Sequence, residues 1–385
     1  MQAFKPTVIP RRHGNIDGER SREGAQATPR PGGSPRYTLE PSAATREAPG
    51  PVSATLRPTT LPGRIRTKRG IGGAAVASVG ASLPQGIVES SEIEARLGLA
   101  PDWIERRTGI RQRHVAAPGE RLETHATAAA AAALEQAGID AADVDLVLVA
   151  TSTPDEVMPN AAPLVAKALG ATRAGAFDLG AACSGFLAGL ATGASMIDAG
   201  RADTVVVIGA DFMTRIVDPA DRGTSAVFAD GAGAVVLVAT GENRIGPILI
   251  RSDGDTEGII HFGREDQLIR MVGHETYKLA VAKLSETTAE AVEAAGFELE
   301  DIDLFVYHQA NARILTAVGE RLGLRSERVV DCISDLGNTT AATLPLALDH
   351  SVRCGRLRRG DRVLLAAFGA GFIWGATVLE WGVAA

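Results

Sequence analysis

Two stretches of this chain repeat each other at one spacing, and that repetition limits its possible folds more than any other feature. Ala133–Thr153 (ALEQAGIDAADVDLVLVATST) aligns with Ala291–Asn311 (AVEAAGFELEDIDLFVYHQAN) at an offset of 158 residues. The same offset of 158 pairs Ala202–Val207 with Gly360–Leu365. Two matches at a single offset, with the hydrophobic pattern kept, indicate an internal duplication. Each copy alternates Ala-rich helices with near-continuous apolar strands such as Val144–Thr151, the pattern of sheets covered on both faces. The expectation is an α/β fold of two similar halves, residues 69–240 and 241–385, each a mostly parallel sheet with helices between and outside the two.

A chain of 385 residues with 45% hydrophobic content can build two fused cores. Residues 1–68 differ in kind: they are rich in Pro, Arg, Gly, Ser and Thr and carry no periodicity, so they are expected to be disordered. Their Pro and Gly content also argues against the amphipathic helix of a transit peptide. A net charge of −7 and a pI near 5.6 argue against nucleic acid as the main partner, although a local basic patch can still meet an acidic one. The three cysteines, Cys183, Cys332 and Cys354, have no metal-ligand spacing, which suggests neither a disulfide framework nor a metal site and fits a reducing cytoplasm. No apolar run reaches the roughly 18 uninterrupted residues of a membrane span, and no signal-peptide core is present, so no membrane association is expected.

Within the first half, Gly180-Ala181-Ala182-Cys183-Ser184-Gly185-Phe186 joins the apolar segment Ala174–Leu179, read as a buried strand, to an Ala/Gly/Leu-rich helical run ending at Gly200. Cys183 therefore falls at or near a helix N-terminus, where unpaired N–H groups and the positive end of the dipole favour a thiolate. A small buried core cysteine is the alternative reading.

In a duplicated fold, the positions where one copy breaks the shared pattern are candidates for function. The repeated strand ends in Ala150 in the first copy and in His308 in the second, followed by Gln309, Ala310 and Asn311. Asn338, in Leu336-Gly337-Asn338-Thr339-Thr340-Ala341-Ala342-Thr343, occupies the junction that corresponds to that of Cys183, about three residues earlier within it. A pseudo-twofold between the halves brings these strand ends together, so Cys183, His308 and Asn338 are expected to converge. Phe368-Gly369-Ala370-Gly371-Phe372-Ile373-Trp374-Gly375 follows a strand and offers backbone N–H groups suited to an oxyanion hole. Asp230-Gly231, between two apolar runs, reads as a hairpin turn. The stretch from Asp102 to His114 sets one Trp among several Arg; it is a solvated charged turn or a face able to hold an adenine and its phosphates.

Taken together, DWIxxRTGIRxRH, AACSGF, DRGT with DGAGA, HQANxRI, GNTxAA and FGAGFxWG resemble, in order and spacing, the β-ketoacyl-acyl-carrier-protein synthase III (FabH-like) branch of the thiolase superfamily, over about residues 70–384. The resemblance implies the thiolase αβαβα sandwich, a homodimer, and an acyltransferase that needs no metal or other cofactor. It condenses a short acyl-coenzyme A with malonyl-acyl carrier protein, with loss of carbon dioxide, to start fatty-acid or polyketide synthesis. A priming enzyme or acyltransferase of secondary metabolism that does not decarboxylate is the alternative, and a non-catalytic partner would be expected to lack Cys183. By resemblance Cys183 is the nucleophile, His308 and Asn338 stabilise the enolate, and the N–H groups of Cys183 and Ala370 form the oxyanion hole beside Phe368. Trp103 and Arg222 match the positions that sandwich adenine, with Arg107, His274 and Asn311 at further coenzyme A contacts. Lys278 and Arg313 match carrier-protein docking positions; Met158, from across the dimer, and Phe228 match acyl-pocket positions. Gly98–Asp102 departs from the family's usual Asp-Thr-Ser-Asp-Glu, Glu320 replaces one basic docking residue beside the retained Arg321, and Arg251–Met271 is short.

Overall fold

A computed structural model of the protein describes residues 72–383; the 1–68 extension lies outside the described residues. The first half contributes β1 (Gly73–Ser82), β2 (Gly86–Glu89), α1 (Ser90–Leu97), α2 (Trp103–Thr108), β3 (Gln112–Val115), α3 (Leu122–Ala137), β4 (Leu146–Ala150), α4 (Ala161–Leu169), β5 (Gly175–Leu179), α5 (Gly185–Asp198), β6 (Thr204–Phe212), α6 (Arg222–Ser225) and β7 (Asp230–Thr240). The second contributes β8 (Leu249–Ser252), β9 (Ile260–Phe262), β10 (Ile269–Met271), α7 (Gly273–Ala294), β11 (Leu304–Tyr307), α8 (Ala312–Leu322), α9 (Ile333–Leu336), α10 (Thr343–Arg353), β12 (Arg362–Gly369) and β13 (Ile373–Glu380).

The sheets run β1-β7-β6-β4-β5 and β11-β12-β13-β8. Alternate residues of the central strands face opposite helical layers, which is why those strands read as unbroken apolar runs. Leu146, Leu148, Val205 and Val207 pack inward with Phe186, Leu187 and Leu190 of α5 and Leu344, Ala347 and Leu348 of α10, in one core that also holds Val363 and Leu365 of β12. Val147, Val149, Val206 and Ile208 face α3 and α4 on the outside, while Phe305, Tyr307 and Leu364 face α7 and α8. The result is five layers, helices α3/α4, the first sheet, α5/α10, the second sheet, and α7/α8.

The duplication holds in space: β4 and β6 begin 158 residues before β11 and β12, and each pair is parallel. Three sequence expectations change. Parallel pairing is confined to β5-β4-β6 and β11-β12, because β7 and β13 return antiparallel beside their predecessors. Asp230-Gly231 is not a hairpin turn. Ser225 closes the short helix α6, Phe228 bridges to Asn338, and Asp230 opens β7 with its buried carboxylate accepting hydrogen bonds from the backbone N–H of Ala116 and of Thr214 and from the Thr214 hydroxyl. The segment Ala174–Leu179 is not a buried strand either: β5 is the sheet edge, and Phe177 is 42% exposed there. In the second half the corresponding strand shrinks to a single bridge between Val329 and Phe305.

Candidate active site

The carboxyl ends of the parallel strands from both halves meet at one cavity of about 760 Å³, the place where open α/β sheets bind ligands. Cys183, His308 and Asn338 all line it, with Phe228, Phe368 and Ala370. Trp103, Arg107, Arg222, His274, Lys278, Asn311 and Arg313 line the same cavity. Of the side chains anticipated from the sequence only Met158 is elsewhere: it is 83% exposed beside the equally exposed Val157 and touches no part of its own chain's cavity.

Cys183 sits in the one-turn helix Ala182–Ser184 that leads into α5. Two contacts from the second half fix that turn. Ser184 Oγ donates to the Ile373 carbonyl at 3.2 Å. Gly369 lies so close that a Cβ there would stand 2.7 Å from the Cys183 backbone nitrogen, so only glycine lets the end of β12 reach the nucleophile. The expectation of a lowered thiol pKa is overturned: burial, with the Asp211 carboxylate nearby, pushes Cys183 up to about 12, against one favourable bond from its own backbone N–H. The helix end does not outweigh desolvation.

His308 follows β11, its backbone N–H bonded to the Ala366 carbonyl at 2.8 Å and its ring edge-on to Phe368 at 5.2 Å. Nδ1 is buried without a partner, and burial lowers the imidazole to about 3, so the ring is neutral. Gln309, beside it, ties the strand end down through the Tyr307 and Val330 carbonyls and the Cys332 N–H. Asn338 is held by backbone bonds to Val227 and Ala229, and its Oδ1 accepts from the Thr340 N–H at 3.0 Å. The arrangement presents a thiol, a neutral imidazole and an amide to one largely apolar chamber, the donor set needed where charge develops on a bound thioester.

At the mouth, the Arg107 and Arg222 guanidinium carbons lie 4.5 and 5.8 Å from the Trp103 ring centroid. The Trp103 helix starts where Glu94, a buried carboxylate missed from the sequence, accepts the backbone N–H groups of Asp102 and Ile104 at 3.0 and 2.8 Å. Asn311 caps α8 through Arg313 N–H and donates to the Arg107 carbonyl at 3.1 Å, so its amide braces the arginine. Arg313 lies over Tyr277, and exposed Lys278 pairs with Glu275 at 3.4 Å. Among the described residues no group of His, Cys, Asp or Glu is arranged to hold a metal ion, and no helix is long and apolar enough to cross a membrane.

A duplicated αβαβα sandwich with a cysteine, a histidine and an asparagine at the facing strand ends defines a thiolase-fold acyltransferase. Residues 177–254 match the family 3-Oxoacyl-[acyl-carrier-protein (ACP)] synthase III, and residues 292–381 match its C-terminal counterpart. The chain is 46% identical over 315 residues to Beta-ketoacyl-[acyl-carrier-protein] synthase III 2 of Streptomyces coelicolor, covering 81% of this chain and 95% of that one. Its fold matches 3-oxoacyl-(acyl carrier protein) synthase III of Pseudomonas aeruginosa with a TM-score of 0.78 at 41% identity, over 81% of this chain and 99% of that one. It also matches the priming β-ketosynthase of the R1128 polyketide biosynthetic pathway with a TM-score of 0.78 at 37% identity, over 80% and 96% of the two chains. The chain belongs to the β-ketoacyl-[acyl-carrier-protein] synthase III family of condensing acyltransferases.

Proposed function

We propose that this enzyme takes a short acyl group from acyl-coenzyme A onto Cys183 and condenses it with malonyl-acyl carrier protein, without a metal or other cofactor. The observation that carries this reading is the shared cavity, with the Cys183–His308–Asn338 set inside and the Trp103, Arg107 and Arg222 group at its mouth. Cys183 Sγ attacks the thioester carbon, and the coenzyme leaves as a thiol bearing the cysteine proton. The backbone N–H groups of Cys183 and Ala370 hold the oxyanion of that step. Malonyl-acyl carrier protein then loses carbon dioxide; the electron pair passes into the thioester, whose oxygen accepts hydrogen bonds from neutral His308 and from Asn338. The resulting carbanion attacks the acyl carbon, expels Cys183 as a thiolate that takes a proton from water to restore the thiol, and gives a 3-oxoacyl-acyl carrier protein.

Trp103 and Arg222 hold the adenine; Arg107, His274 and Asn311 serve the rest of the coenzyme. Lys278 and Arg313 meet the acidic carrier protein, giving a net-acidic enzyme a local cationic face. Phe228 walls the acyl end. The exposed Val157, Met158 and Phe177 beside the edge strand β5 support a homodimer in which Met158 reaches the partner's acyl pocket. The cytoplasm is the proposed location, and the first half ends and the second begins near residues 240 and 241. A panel of acyl-coenzyme A thioesters, read as mass added to intact protein and followed by malonyl-acyl carrier protein with carbon dioxide counted, tests the reading. An acylated enzyme that never releases carbon dioxide would replace it with the non-decarboxylating alternative.

A further inference from the structure

Asp211, the penultimate residue of β6, stands 158 residues before Gly369 and so occupies its counterpart position in the duplication. It is fully buried, and the five hydrogen bonds it accepts all come from uncharged donors. Burying a carboxylate without a cation is costly, and these donors offset part of that cost, burial still holding the carboxyl above its ordinary range. Those donors lie on the two strand-end turns that frame the cavity. Oδ1 accepts from Thr151 Oγ1 at 3.2 Å, Ser152 N at 2.7 Å and Thr153 Oγ1 at 3.0 Å. Oδ2 crosses to the other half and accepts from Ala341 N at 3.1 Å and from Thr340 Oγ1.

Thr340 is the informative partner. It is β-branched yet holds φ at +49°, a conformation that persists only where the surroundings over-determine it. Its backbone N–H donates to Asn338 Oδ1 at 3.0 Å. That bond occupies the amide oxygen and so fixes which end of Asn338 is turned to the cavity: the NH₂, a donor, and not the acceptor. We infer that Asp211 is a positioning residue for the decarboxylation step: it clamps the Thr340 turn, and the turn aims the Asn338 amide at the enolate oxygen. This rests on the decarboxylative reading given above. The first half needs no such clamp, since its turn presents a backbone N–H and a thiol; there the counterpart of Thr340 is Ala182, at φ +45°, with no hydroxyl.

Because Ala182 holds the same conformation without a hydroxyl, Thr340→Ala is the mildest test, Thr340→Ser its rescue and Asp211→Asn the direct one. Misplacing a catalytic donor costs on the order of 100-fold, so Thr340→Ala and Asp211→Asn should lose about 10- to 100-fold in carbon dioxide release at saturating malonyl-acyl carrier protein, while in Thr340→Ala, which leaves the Asp211 charge beside Cys183 in place, KM and the rate of Cys183 acylation stay within about threefold. Thr340→Ser should restore the rate to within about threefold of wild type, since it returns the hydroxyl to Asp211. Full carbon dioxide release in Thr340→Ala, or acylation falling in step with it, overturns the inference; should that variant lose its cooperative melt, Thr340→Val, which keeps the branched shape, is read in its place by the same criteria. Wild type and Asn338→Ala run alongside. If wild type releases no carbon dioxide, the decarboxylative reading has failed; if Asn338→Ala abolishes release and Thr340→Ala does not, only the positioning role has.

Discussion

The two junctions that meet at the cavity share a backbone and divide the chemistry. In each, a one-turn helix with a positive φ at its first residue leads into a central helix: Ala182–Ser184 before α5, Thr340–Ala342 before α10. Cys183 is matched at the 158-residue offset by Ala341, Asn338 by Gly180, His308 by Ala150, and Asp211 by Gly369. The first copy keeps the nucleophile and has small residues where the second has Asn338 and His308; Asp211 reverses the pattern, since it is a first-half side chain opposite a second-half glycine and it bonds to the Thr340 turn. A duplicated fold thus supplies two equivalent turns aimed at one point, and divergence assigns attack to the first and charge stabilisation to the second.

The sharpest way to break that comparison is to move the thiol. Cys183→Ala should abolish acyl mass entirely, and Cys183→Ala with Ala341→Cys should not restore it. Ala341 is fully buried and does not line the cavity, whereas Cys183 opens onto it. Acylation of the double variant, detected by intact mass, would show the two turns to be interchangeable. Acylation on Cys332 or Cys354 would instead remove Cys183 from the mechanism.

Removing the donors comes next in size. His308→Ala and Asn338→Ala should each lower carbon dioxide release about 100- to 1,000-fold, the usual cost of one oxyanion-type donor, while Cys183 acylation stays measurable. If Asn338→Ala stops acylation as completely as condensation, the division of labour between the halves is wrong.

Much of this is legible in the sequence alone. The offset of 158 residues exposed the two halves, and asking where they differ found His308 and Asn338. The same question at Gly369 points to Asp211, so that residue was within reach of the sequence once β6 and β12 were aligned. Glu94 was not, because its partners are backbone N–H groups of a turn eight to ten residues away, a relation that leaves no periodic trace. Asp230-Gly231 misled because a turn dipeptide between apolar runs says nothing about whether the first run is a strand, and here it is α6 and a loop tied to Asn338. The raised thiol pKa is not legible in the sequence, because a helix terminus is visible there while the desolvation that opposes it depends on how β12 and its loop close over the site.

The buried thiol gives a smaller test of the first junction. With Cys183 raised to about 12, its thiolate fraction in the ligand-free enzyme grows roughly tenfold per pH unit over the working range. Alkylation of Cys183 by iodoacetamide, followed by peptide mass, should therefore climb steadily from pH 7 to 10 without levelling. A plateau below pH 8 would mean that the helix end controls the thiol after all.

The smallest effect separates His308 from Ala150, the same strand end in the other half. Burial alone lowers His308 to about 3 from its ordinary 6.5, so between those values the unfolded chain binds a proton there and the folded chain does not. Stability from the neutral ring is present above pH 6.5 and is lost as pH falls toward 3, at a rate no greater than about 1.4 kcal/mol per pH unit. Ala150 contributes no such dependence, having nothing to titrate. His308→Gln keeps a polar side chain without the ionisation, so its urea midpoint should fall less steeply than that of wild type between pH 6.5 and 4.5. The stability difference between the two should therefore shift toward the variant as the solution becomes more acidic. Carboxylate protonation affects both proteins and cancels in that difference. Parallel curves for the two proteins would mean that the imidazole takes up its proton in the folded state near the ordinary value. The donor assigned to the second half would then take up a proton just below neutral pH instead of staying neutral down to about 3.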